Sequence, residues 1–134
     1  MRIFNVSFSV LLVSLLLIGG CDSKPTHDSL MKENIVLLRE QLTLMKTVTD
    51  ETTARAAFPK TLKILEDMDR IQADRDKLGE QSEEEKAQLA AKYESELKPL
   101  IHELFEQTMR INTDPELKAI DAKLRKEYDE LKKE

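Results

Sequence analysis

The chain has 134 residues and a formal net charge of −5, room for one compact domain. A single cysteine excludes an internal disulfide framework and a cysteine-built zinc site. The acidic balance argues against nucleic acid as a partner, because phosphate binding needs a basic face, and three glycines with no β-branched alternation argue against a sandwich or barrel.

Met1-Arg2 is a short positive start, and residues 3–20 then carry no charge although 35% of the whole chain is charged. The apolar run Ile3 to Ile18 is interrupted only by Asn5, Ser7, Ser9 and Ser14, and ends in Ile18-Gly19-Gly20-Cys21, followed at once by Asp22-Ser23-Lys24-Pro25-Thr26. Two small residues before a cysteine suit a peptidase pocket closed to large side chains. This order of parts resembles the signal peptide and lipobox of bacterial lipoproteins, with Ile18 where Leu is commoner. The resemblance implies a diacylglyceryl group on the Cys21 sulfur, cleavage between Gly20 and Cys21, and acylation of the new amino group. Two or three acyl chains hold a protein firmly where one gives marginal binding. Asp22 resembles the residue that retains enteric lipoproteins in the inner membrane, a rule that differs between bacterial groups, so inner versus outer membrane stays open. The expected organisation is a signal peptide over 1–20, a lipidated cysteine and short linker over 21–27, and a helical domain over 28–134. Removing 1–20 leaves 114 residues with 20 Lys plus Arg against 26 acids, or −6, since Arg2 is the one charge removed. Residues 22–26 reach under about 20 Å, so the domain is expected close to the bilayer.

After Thr26 helical periodicity dominates. Met31, Ile35, Leu38, Leu42, Met45 and Thr49 follow alternating 4,3 spacing with Leu30, Leu37 and Leu44 beside them, a wide apolar face suited to a bundle. Thr26 or Asp28 is the expected cap. Four threonines and an Asp over Thr47 to Thr53 predict a break, with Asp50 capping the second helix. Ala57, Thr61, Ile64, Met68, Ile71, Arg75 and Leu78 repeat the spacing, widened by Phe58, Leu62 and Leu65. Pro59 predicts either a kink or a separate turn over Thr53 to Ala57, and Arg75 reads as a snorkelling end residue. Gly79 ends this helix in the left-handed conformation. Ser82 and Glu85 form a capping box for a third helix, faced by Leu89, Tyr93, Leu97, Leu100, Leu104, Thr108 and Ile111 with Ile101 and Phe105 beside them, and bent or split at Pro99. Asn112 to Pro115 is the third turn, with Asp114 as cap and Pro115 at the first helical position. Leu117, Ile120, Leu124, Tyr128 and Leu131 line the last helix. The expected fold is all-α, an up-down-up-down four-helix bundle after the N-terminal signal helix. A three-helix array with a separate last helix is the alternative.

Candidate sites weigh against bland readings. His102 and Glu106 lie one turn apart, but a metalloprotease helix needs a second His where Glu106 stands, and His102 falls about 160° from the apolar face at 100° per residue. It reads as a solvated histidine. His27 sits in or beside the linker. In size and helix layout the chain resembles periplasmic four-helix b-type cytochromes, which ligate haem with a first-helix Met and a last-helix His. Met31 matches the first, while the last helix offers Arg125-Lys126-Glu127-Tyr128-Asp129 and no His, so Met31 reads as core. The acid clusters Glu83-Glu84-Glu85, Glu66-Asp67-Asp69 and Asp74-Asp76 lack EF-hand spacing and read as solvated faces. Asp50 and the stretch Ala54 to Lys60 also look like small uncharacterised helical lipoproteins of bacteria, a resemblance that implies no known activity. The expected function is a non-enzymatic, lipid-anchored envelope module that docks another envelope protein or the cell wall through an exposed groove left where Pro59 and Pro99 bend their helices. No metal, catalytic residue or cofactor beyond the Cys21 lipid is expected. A haem, metal or lipid carrier and a chaperone or stress sensor are the alternatives.

Overall fold

A computed structural model describes residues 24–131. They form four helices: α1 (His27–Thr47), α2 (Glu51–Leu78), α3 (Glu83–Thr113) and α4 (Pro115–Leu131). The fold is an all-α four-helix bundle. Each helix start has a side-chain cap that satisfies amides the helix cannot. Thr26 caps α1 and exchanges hydrogen bonds with Ser29, the Ser29 amide donating to Thr26 Oγ1 at 3.1 Å. This box draws His27 into the first turn, out of the expected linker. Asp28, freed from capping, accepts from the Tyr93 hydroxyl at 2.9 Å and from Lys92. Asp50 accepts from the Thr53 amide at 2.8 Å, Ser82 Oγ accepts from the Glu85 amide at 3.2 Å, and Asp114 Oδ1 accepts from the Glu116 amide at 2.9 Å.

Several boundaries differ from expectation. The threonine break is only 48–50, because Thr53 serves the Asp50 cap from inside the helix and its hydroxyl also accepts from the Thr49 amide at 3.0 Å. Asn112 and Thr113 are helical, so Asp114 alone separates α3 from α4. Neither Pro59 nor Pro99 divides its helix. Each proline leaves the carbonyl four residues back without its amide partner. Those carbonyls belong to Arg55 and Ser95, both exposed residues. Gly79 has the expected positive φ of 81°, but its ψ of −177° is extended, not left-handed helical. That region is open essentially to glycine alone.

Directions alternate as expected. On α1 and α2 the Glu33–Arg70 pair at 2.5 Å and the buried set Leu30, Leu37, Ile64 and Ile71 run in opposite senses. The pairs Asp28–Lys92, Arg39–Glu96 and Lys46–Glu103 advance together, so α1 and α3 are parallel. So are α2 and α4, through Glu51–Lys123 at 2.6 Å, Arg55–Glu127 at 2.7 Å and a T-shaped Phe58–Tyr128 contact at 5.9 Å. Among the described residues α1 packs on α2 and α3, and α4 packs on those same two. Going round the bundle the order is therefore α1, α2, α4, α3, and residues 79–82 cross its diagonal. Leu117, Ile120 and Leu124 of α4 belong to the main core with Met31, Ile35, Leu38 and Leu104, so the last helix is not a separate element.

Candidate functional site: a groove between α1 and α2

Cys21, Gly20 and Asp22, the residues of the expected anchor, cleavage and sorting positions, lie outside the described residues. No described helix is long and apolar enough to cross a membrane.

An open groove of about 560 Å³ runs between the outer faces of α1 and α2. Its floor is Val36, Leu44 and Ile64, and Arg39, Glu40, Thr43, Lys60 and Lys63 form its walls. The groove follows from the packing. Antiparallel α1 and α2 bury Leu37 and Ile64 against each other, while Val36, one position off that seam, stays 50% exposed. Thr43 is tied to its own helix, its hydroxyl donating to the Arg39 carbonyl at 2.9 Å. Arg39 is engaged with Glu96 of α3. Lys63 reaches Asp67 only at 3.5 Å and keeps 75% of its side chain exposed. Lys60, one turn away and next to Pro59, is exposed and makes no ion pair among the described residues. The helix beside it runs unbroken through Pro59.

A second space lies in the core between α1, α2, α3 and α4. It has about 20 Å³, room for about one water, and is lined by Ala57, Phe58, Thr61, Ile111, Leu124 and Asp121 among others. Asp121 Oδ2 accepts from Arg125 Nε at 2.7 Å, while buried Oδ1 has no hydrogen-bond partner. Burial raises the Asp121 pKa, only partly offset by Arg125. The folded chain then holds this proton more tightly than the unfolded chain. Asp121 protonation stabilises the fold fully below the ordinary carboxylate range, and that contribution is lost as pH rises through the raised value. Asp28 has the opposite sign. Its pKa is lowered, first by the Lys92 hydrogen bond, so its contribution is lost as pH falls. Asp121→Asn, which mimics the protonated carboxyl, is expected to unfold at higher urea than the parent at pH 7. The margin should close towards about pH 3, below the unperturbed carboxylate value.

The other expected positions fall as follows. His102 is exposed, its side chain 71% accessible, with Glu106 at 3.3 Å. His27 is half-buried, and desolvation lowers its pKa against the opposing charge of Glu85. Met31 is fully buried in the core. Arg75 is half-buried with its pKa lowered by burial, and donates to Gln72. The acid clusters are largely held in helix-surface pairs, such as Asp74 with Lys77 at 2.8 Å. Among the described residues no three His, Cys, Asp or Glu converge as a metal site. Sequence reasoning missed Val36, Lys60, Lys63 and Asp121. Val36 was legible as an apolar residue off the 4,3 seam, whereas nothing in sequence marks those lysines or that acid out from their many counterparts. The chain matches no known family model, curated protein or solved structure.

Proposed function

We propose that this is a lipid-anchored protein of the bacterial cell envelope, a non-enzymatic helical bundle that serves as a protein-interaction module. What carries the reading is Cys21, the single cysteine, placed after two glycines at the end of an uncharged apolar run and before a polar linker. A membrane phospholipid would supply the diacylglyceryl group, its C–O bond to the phosphate head group breaking as the Cys21 thiol loses its proton and the C–S bond forms. Water would then hydrolyse the Gly20–Cys21 peptide bond, and the freed amine would take an acyl chain from the ester of a second phospholipid, which leaves as its lyso form. The domain would then stand on the periplasmic or outer face of a membrane, with Asp22 contributing to the choice of membrane. The α1/α2 groove supports the docking role, since it leaves an apolar floor uncovered on a side of the bundle.

The test is intact mass of the purified protein together with labelled palmitate uptake. The mature chain is expected to begin at Cys21 and to carry the added mass of a diacylglyceryl group and an N-acyl chain. Cys21→Ser should take up no label and keep residues 1–20. A parent protein with a free Cys21 thiol, or a Cys21→Ser variant that still takes label, would overturn the anchor.

A further inference from the structure

We infer that His27 is a pH-sensitive latch at the start of α1, whose protonation drives its ring from the end of the core and opens the first helical turn. The Thr26–Ser29 capping box makes His27 the first residue of α1. There it stands one turn before Leu30 and Met31, 2% and 0% exposed, and so on the face of α1 that the bundle buries. Its ring nitrogen Nδ1 is buried and has no hydrogen-bond partner among the described residues. In the neutral ring this nitrogen can stay without a proton, whereas protonation puts a charged N–H there. A buried charge without a partner is costly, and the positive end of the α1 dipole adds to that cost. Two charges from neighbouring helices act on the ring: Arg75 of α2 opposes its protonation, and Glu85 of α3 favours it. Glu85 is already committed to its own helix start, accepting from the Ser82 amide at 2.8 Å and from the Ser82 hydroxyl at 2.9 Å. Asp28, next in the chain, is taken by Lys92 and Tyr93 of α3. Among the described residues α4 does not pack on α1 and brings no charge to this end. The balance, burial first, holds the His27 pKa below its ordinary value. A base with a lowered folded pKa stabilises the fold fully above the ordinary value of about 6.5. That contribution is lost as pH falls through this value towards the lowered one. What gives way is the first turn, held by the Thr26–Ser29 box and by the Leu30 amide, which donates to the Thr26 carbonyl at 2.8 Å. The linker enters at this turn. Opening it lengthens the tether by about 8 Å, at about 3.3–3.6 Å per extended residue against about 1.5 Å in the helix. Only that last consequence rests on the proposed anchor.

The test follows the His27 ring by carbon NMR at Cε1, in the purified full chain in zwitterionic micelles, from about pH 8 to about pH 4. Its midpoint is expected below about 6.5. Arg75→Gln should raise that midpoint. Glu85→Gln, which keeps a capping-box side chain, should lower it. A general loss of structure in acid would not give opposite shifts. Amide hydrogen exchange reads the opening itself. The protection factor of the Leu30 amide is expected to fall at least about threefold between about pH 7.5 and about pH 5, relative to the Ile120 amide of α4. His27→Gln should show no such fall. Should that variant fail to fold, the Arg75 and Glu85 variants still decide the matter. A midpoint at or above about 6.5 overturns the inference. So do shifts of the same sign in the two charge variants, or an equal loss of Leu30 protection in His27→Gln. Intact mass reports on the anchor independently, so the two readings fail separately.

Discussion

Leu38→Ala is expected to lower the unfolding free energy by about 3–4 kcal/mol. Leu38 is 2% exposed and sits on α1, the helix with both α2 and α3 packed on it. Truncation removes apolar contacts and leaves a cavity whose walls come from regular helices, which relax poorly into the space. A domain of this size has about 5–15 kcal/mol of stability in all, so one substitution takes a large share. The measurement is urea unfolding followed by far-ultraviolet circular dichroism. With a slope of about 1.5–2 kcal/mol per molar, the midpoint should fall by about 2 M with the slope unchanged. Val36→Ala, two residues earlier on the same helix, should cost under about 0.5 kcal/mol, because Val36 is half exposed at the groove floor. A Leu38→Ala loss as small as that of Val36→Ala would mean that the α1 seam is not the centre of the core.

The seam itself was legible because helix period and burial are locally coupled. The 4,3 spacing of Met31 to Met45 names the buried face of α1 residue by residue, and Asp50, Ser82 and Asp114 mark helix starts through short-range hydrogen bonds that sequence spacing alone specifies. Periodicity says which face is buried and not which helix covers it. The diagonal crossing at 79–82 shows only in the packing of α1 on α3 and in long-range pairs such as Arg39–Glu96 and Lys46–Glu103. Those charges look identical in sequence to solvated ones. Pro59 and Pro99 announce in sequence the donor they remove, while only the fold shows that both lie on exposed positions of unbroken helices. The proposed anchor at Cys21 rests on a linear pattern of residues, which needs no fold to be read. The groove is not legible in that way, because Val36, Lys60 and Lys63 come together only when α1 and α2 pack.

Arg110 makes a contribution that sequence pattern left unread, and Arg110→Met is expected to lose about 2–3 kcal/mol. The last four carbonyls of a helix have no partner within it, and α1 ends at Thr47 without a glycine cap. Arg110 of α3 fills that role across the bundle. Its Nη1 donates to the Val48 carbonyl at 2.8 Å and its Nη2 to the Met45 carbonyl at 2.6 Å, while Nε donates to Gln107 Oε1 at 2.9 Å and fixes the plane of the guanidinium. Hydrogen bonds from a charged donor contribute about 1.5–3 kcal/mol each when buried. Arg110 is half-buried, and water recovers part of that loss, so the two together are placed near the value of one. Methionine keeps the apolar stem, which separates the hydrogen bonds from packing. Arg110→Lys should recover less than half of the difference, because an ammonium cannot reach both carbonyls with the planar fork. Urea midpoints for the three proteins measure this, and amide exchange at 48–50 should quicken in Arg110→Met before the helix interiors do. The effect should also survive high salt, since the acceptors are carbonyls in a half-buried turn and not exposed carboxylates. A loss under about 0.5 kcal/mol, or one fully restored by lysine, would show that water caps α1 as well as the guanidinium does.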